Sequence, residues 1–245
     1  MIAAEYDATP HSLRVRPIGV VSSCVMSPDR TGAPYLGRLS RPGTIAAVAG
    51  VGLVGSYVVA ARLPIPAWEL RWTETINDLP DAMATVLYPI MQLGTLGGPA
   101  IVAAGIVVLR RDWWLSGATV VAGVVAWIGA KGVKAWVERG RPRAYLPEIN
   151  VREGDGIGLG YISGHGAVAA SAAVMAMVAL PPKWRPVAAV AAGLVGLARI
   201  VHGVHLAADV VGGWCFGTLI ALGVLAIVDR VRASMWPRRA APAAP

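Results

Sequence analysis

The chain of 245 residues is 56% hydrophobic and only 15% charged, with a mean hydropathy of +0.58, a composition that argues against a soluble enzyme and for a protein solvated by lipid. A net charge of +8 raises the question of nucleic acid, but the basic residues gather at the ends of apolar runs, as in membrane proteins, and no nucleic-acid partner is expected. Two cysteines, Cys24 and Cys215, lie in unlike segments and make no disulfide framework.

Residues 1–42 are polar and rich in Pro, Ser and Arg, and they read as a disordered cytoplasmic tail rather than a cleavable signal, so the first apolar span is expected to be retained. A bilayer core of about 30 Å needs about 20 apolar residues per helix. Uncharged runs of that order occupy residues 43–61, 89–109, 113–130, 166–182 and 210–228. A sixth run, 186–198, reaches spanning length only if Arg199 and His202 belong to its helix. The expectation is an all-α membrane domain over residues 43–228 with six transmembrane helices, followed by a basic cytoplasmic tail, 229–245. Between the first two runs, residues 66–79 interleave Trp68, Leu70, Trp72 and Ile76 with charges, the pattern of an amphipathic segment on the outer face. Arginines cluster in the segments that an inside N-terminus makes cytoplasmic. The outer loop 131–152 breaks that rule with six basic residues, and anion binding explains them.

Three polar clusters border the apolar runs. Lys134 and Arg141, seven positions apart and followed by Pro142, fall on one side of the third helix if it continues past Lys134, with the proline ending it. An ammonium and a forked guanidinium suit phosphate oxygens. Ser163 and Gly164 precede an uncharged helix, where Ser163 reads as an N-cap and the following N–H groups attract an anion. His165, one position on, is placed to protonate a leaving group. Arg199, His205 and Asp209 form the third cluster, and charges at bilayer depth are retained for pairing or function. His205 and Asp209, four apart, meet on one helical face, so the carboxylate fixes the imidazole tautomer and the other ring nitrogen is free to attack. His202, one turn from Arg199, reads either as packing or as support for the residues of the site. Gly213 and Gly217 make a small-residue pair suited to close helix packing. No metal-ligand spacing occurs, and neither metal nor cofactor is expected.

Together these residues resemble the three-part signature of the type-2 phosphatidic acid phosphatase superfamily, over roughly residues 82–228. The resemblance implies a six-helix membrane core. It also implies attack by His205 to give a phosphohistidine, proton donation by His165, support of His205 by Asp209, and phosphate contacts from Lys134, Arg141, Ser163, Gly164 and Arg199. Two positions depart from the pattern: Ile162 stands where the family usually has proline, and Ala198 where it usually has serine. The function expected is hydrolysis of a phosphomonoester or pyrophosphate on a membrane lipid, such as phosphatidate, phosphatidylglycerophosphate or a polyprenyl pyrophosphate, at a site facing the extracytoplasmic side. A lipid-linked phosphotransferase and a non-catalytic lipid-phosphate-binding transporter or pseudoenzyme are the alternatives that the residues leave open.

Overall fold

A computed structural model describes residues 33–235, so the expectations for residues 1–32 and 236–245, including Cys24, lie outside the described residues. Eight α-helices follow one another: α1 (Pro42–Ala60), α2 (Ala67–Asn77), α3 (Asp81–Met91), α4 (Gly97–Arg110), α5 (Trp113–Val137), α6 (Gly164–Ala179), α7 (Arg185–Val201) and α8 (Ala207–Met235). No strand is present among the described residues. Four segments are long and apolar enough to cross a membrane: α1, α5, α7 with its preceding turn (Pro182–Val201), and α8. The bent pair α3 and α4 makes a fifth if counted as one span. The chain is a multi-pass membrane protein.

Helix α6 is the centre of the bundle. Its 16 residues reach only about 24 Å at 1.5 Å per residue. Nearly every side chain on it is buried, against α4, α5, α7 and α8, so its sequence carries no polar face. Small residues make that packing close, because apolar side chains gain nothing from leaving lipid and association rests on contact. The expected Gly213 and Gly217 pair does pack closely on α6: a Cβ at Gly213 would lie 2.5 Å from the Ser163 carbonyl oxygen, and one at Gly217 would lie 2.0 Å from that of Ala167. On the periphery, Val48, Val51 and Val54 of α1 and Val187 and Val190 of α7 remain exposed, as suits a lipid-facing surface.

Four expectations need correction. The apolar run 89–109 is not one straight helix: α3 ends at Met91, a 3-10 turn (Gln92–Gly94) follows, and α4 leaves at 67°. Apolarity records depth, not direction, and the break falls where Gly98 lies against the Leu93 backbone, with space for no Cβ. Secondly, α5 stops at Val137, before Arg141, because Glu138 takes a left-handed conformation (φ 53°) and caps it. Thirdly, the polar N-terminal segment is not loose as far as Pro42. Tyr35 is fully buried, its hydroxyl donates to Asp112 Oδ1 (2.6 Å), and the N–H groups of Tyr35 and Leu36 donate to the Asp229 carboxylate (2.7 and 3.0 Å). Asp112 also caps α5 through Leu115 N–H, so one buried tyrosine joins the starts of α1 and α5 to the end of α8. Fourthly, α8 runs on through Met235, so residues 229–235 belong to the helical domain and not to a tail.

Candidate active site

Alternation of helix direction gathers the polar clusters at one end of the bundle. Lys134 sits in the last turn of α5 and Arg199 in the last turn of α7, while His165 occupies the first turn of α6 and Asp209 the first turn of α8. His205 lies on the short connection between α7 and α8 and is 2% exposed. That connection turns at Gly203 (φ 71°), where a Cβ would meet the Asn150 carbonyl oxygen at 2.4 Å. Glycine is required there on both counts.

Arg141 reaches the cluster by a different route from the continuous helix expected. Residues 139–141 pair with residues 158–160 as a short antiparallel rung, in which Gly160 N–H donates to Arg139 O (2.7 Å) and Arg141 N–H to Gly158 O (3.1 Å). The glycines ahead of α6 therefore take part in shaping this end of the bundle. Gly154, Gly156 and Gly158 have φ of 65°, 69° and 104°, and Gly160 lies so close to the site that a Cβ would stand 2.8 Å from Asp209 Oδ2 and from Gly140 O. Gly160→Ala is expected to displace the Asp209 carboxylate and, for the phosphate hydrolysis that the sequence resemblance implies, to lower turnover about 10- to 100-fold, since misplacement of about 1 Å has effects of that size. Phosphate release by the purified variant measures it.

Lys134 Nζ donates to the carbonyl oxygens of Leu159 and Gly160 (2.9 and 2.8 Å), which leaves one of its three N–H groups for another acceptor. Arg199 Nη1 donates to the Met91 sulfur (3.2 Å) and pairs with the Glu153 carboxylate. The Nε atoms of Arg139, Arg141 and Arg199 are buried without a hydrogen-bond partner. Ser163 caps α6 by accepting from Gly166 N–H (3.3 Å), and the 92–94 turn seats His165, with space at Gly94 for no Cβ. The expected His205 and Asp209 contact forms: Nδ1 lies 3.4 Å from Asp209 Oδ2, long for a hydrogen bond, and the same oxygen accepts Leu206 N–H at 2.9 Å.

Burial, reinforced by the positive charges of Lys134, Arg199 and Arg141, holds the His205 imidazole well below its ordinary value of 6.5. The ring is thus neutral near neutral pH. Those same three cations are close enough to act on His165, so Lys134, Arg141 and Arg199 lie within electrostatic reach of both histidines.

His202 is buried with Nδ1 2.7 Å from the Ala198 carbonyl oxygen, and its ring tilts on Tyr88. Ala198 itself is fully buried in an apolar cluster with Ala84, Leu87, Met91 and Val201. Ile162, the second departure from the family pattern, is equally buried, packed with Tyr161, Ala167 and Val168.

Two residues that sequence reasoning passed over adjoin the site. Arg139 donates from Nη1 to Asp209 Oδ1 (2.9 Å) and from Nη2 to Glu69 Oε2 (2.6 Å), and all three side chains are almost wholly buried. Arg139 was visible only as one of six basic residues in a loop, and Glu69 as one of several outer acids. The available signal was the spacing of Glu69, Thr73 and Asn77, a polar stripe with a period of four that the structure buries. No three His, Cys, Asp or Glu side chains gather as a set of metal ligands among the described residues.

Helices of membrane-crossing length, with Lys134, Arg199 and a buried histidine gathered at one end, define a polytopic membrane protein. The PAP2 superfamily is the family whose sequence pattern matches, over residues 112–233, and this chain belongs to it. Comparison with curated proteins finds no match to the chain. Among solved structures, a transmembrane PAP2-type phosphatidylglycerolphosphate phosphatase from Bacillus subtilis shares the fold with a TM-score of 0.61 at 21% identity, covering 79% of this chain and 98% of its own. Aquifex aeolicus LpxE is similar at a TM-score of 0.61 and 19% identity, covering 67% of this chain and 98% of its own.

Proposed function

We propose that this chain is an integral-membrane lipid phosphate phosphatase that releases phosphate from a phosphomonoester or pyrophosphate of a membrane lipid through a phosphohistidine, without a metal. In this reading the six membrane helices are α1, the bent α3 and α4 pair, α5, α6, α7 and α8. Both termini are cytoplasmic, and the pocket faces the extracytoplasmic side. The observation that carries the proposal is that Arg141 and Arg199, each with a buried and unpartnered Nε, stand with Lys134 around a neutral buried histidine, whereas Arg139, whose Nε is also unpartnered, gives both Nη atoms to carboxylates. Buried donors left unmatched by the protein call for an anion.

The phosphate lies against Lys134, Arg141, Arg199, the Ser163 hydroxyl and the Gly164 N–H, where the dipole of α6 adds to the positive field; the Ser163 N–H itself is taken by the Asp209 carbonyl oxygen (2.8 Å). Arg199 is shared with Glu153, so an arriving phosphate competes with that carboxylate. His205 Nε2 attacks phosphorus while Asp209 holds Nδ1–H and balances the charge that forms. As the phosphorus–oxygen bond to the lipid breaks, His165 gives its proton to the departing oxygen. A water then attacks the phosphohistidine, loses its proton to His165, and inorganic phosphate leaves with His205 neutral again. The Bacillus subtilis neighbour, a phosphatidylglycerolphosphate phosphatase by name, supports a glycerophospholipid among the candidates, alongside phosphatidate and polyprenyl pyrophosphate.

The test uses the full chain in detergent with each of these three lipids and a chelator present. Phosphate release and an acid-labile, base-stable phosphoprotein are expected. A strict requirement for divalent metal overturns the mechanism, and no release from any of the three overturns the function. Because His205 is depressed, the acidic limb of kcat/KM is expected below pH 6.5, the ordinary histidine value.

A further inference from the structure

We propose that Arg139, clamped by Glu69, is the positioning residue of the His205 and Asp209 pair, and that it ties the reacting histidine to the interfacial helix α2. The role of the pair itself rests on the function proposed above.

The hydrogen bonds of Asp209 divide between its two oxygens. Oδ2 takes Leu206 N–H and faces His205 Nδ1, while Oδ1 takes Arg139 Nη1. With both oxygens held, the carboxylate cannot rotate about its last bond, and Oδ2 stays aimed at the ring. Arg139 is in turn fixed by Glu69 Oε2, and Glu69 Oε1 accepts Ala208 N–H at 2.9 Å in the first turn of α8. One glutamate therefore seats both the arginine and the start of the helix that carries Asp209.

Charge makes the same point. The side chains of Glu69 and Asp209 are 0% exposed, and the guanidinium of Arg139 lies between them. Without it, two carboxylates would share one dry space, and like charges there force a proton onto one of them. A protonated Asp209 no longer balances an imidazolium.

Glu69 arrives from α2, whose two faces are inverted relative to a soluble amphipathic helix. Glu69, Thr73 and Asn77 are buried, whereas Trp68 and Trp72 are 47% and 63% exposed. Indoles favour the boundary between lipid and water. At its other end the helix is pinned by Asn77, whose side chain bonds Asn150 N–H and O and the Val201 carbonyl oxygen. Seating of α2 on the membrane surface is thereby connected to the orientation of the histidine through three side chains and no backbone rearrangement.

The experiment compares Arg139→Met, Glu69→Gln and the double variant in the full chain. Arg139→Met is expected to lower kcat about 100-fold with KM within about 3-fold, and to move the acidic limb of the profile upward by about one pH unit. Adding Glu69→Gln removes the second carboxylate and is expected to restore about 10-fold of that loss. A second readout needs no turnover: the ring-nitrogen NMR signals of 15N-histidine protein, in which His205 of the native chain shows the Nδ1–H tautomer and Arg139→Met does not. An unchanged tautomer and acidic limb in a folded Arg139→Met protein overturn the proposal, as does a kcat loss that Glu69→Gln deepens instead of relieving. Native protein that releases no phosphate but shows the tautomer change sinks the phosphatase reading alone.

Discussion

His205→Ala is expected to lower phosphate release by about 10⁴-fold or more while leaving the fold intact, because in the proposed mechanism it deletes the atom that attacks phosphorus and leaves the proposed phosphate contacts in place. Its 2% exposure means that truncation leaves a small space and not a collapsed surface, and its side-chain hydrogen bond, to Asp209, is a long one. Substrate binding should therefore survive, and the variant should still be protected from thermal unfolding by orthovanadate or phosphate. His165→Ala provides the contrast. Its loss should be severe with a lipid alkoxide as leaving group but partly masked with p-nitrophenyl phosphate, whose phenolate departs without a proton. Equal losses for both substrates would remove His165 from the acid role, and a His205→Ala protein with native turnover would remove His205 from the reaction.

The polar clusters were readable because charge is rare in this chain, so each ionisable group near an apolar run needed a reason to be there. The long uncharged runs likewise marked α1, α5 and α8, and the spacing of four between His205 and Asp209 foretold their contact. What composition did not carry was direction and partnership. The bend between α3 and α4 depends on a glycine meeting the Leu93 carbonyl at close range, a contact between segments that hydropathy sees as one run. The route of Arg141 into the site depends on a rung between residues 139–141 and 158–160, which no helical periodicity encodes. Tyr35 shows a related gap: a single aromatic in a polar segment has no period at all, yet two distant carboxylates, Asp112 and Asp229, accept its hydroxyl and its N–H. Glu69 was legible only as an interfacial charge, because a buried acid is recognised by its partner, and Arg139 lies 70 positions away.

Gly217→Leu is expected to break the bundle at the place that aligns the two histidines. The Cβ of any residue at 217 would fall 2.0 Å from the Ala167 carbonyl oxygen, and one at Gly213 would fall 2.5 Å from that of Ser163. These are backbone atoms of the first turn of α6, so no side chain can swing aside, and α8 must move away from α6 as a body. Overpacking of a tight interface costs about 1–3 kcal/mol or more, and the lower end of that range already applies to alanine. The displaced first turn holds the Ser163 cap and His165, while α8 holds Asp209, so the distance between proton donor and nucleophile should open with it. Gly217→Ala is expected to lower the unfolding temperature in detergent and reduce turnover about 10-fold, and Gly217→Leu to yield little folded protein. Gly223, on the same helix, supplies the control, since a Cβ there meets nothing within 4 Å. Gly223→Ala should be neutral or stabilising by up to about 1 kcal/mol, through helix propensity alone. Matching losses at 217 and 223 would mean that α8 is sensitive to helix substitution in general and that its contact with α6 does not set the geometry of the site.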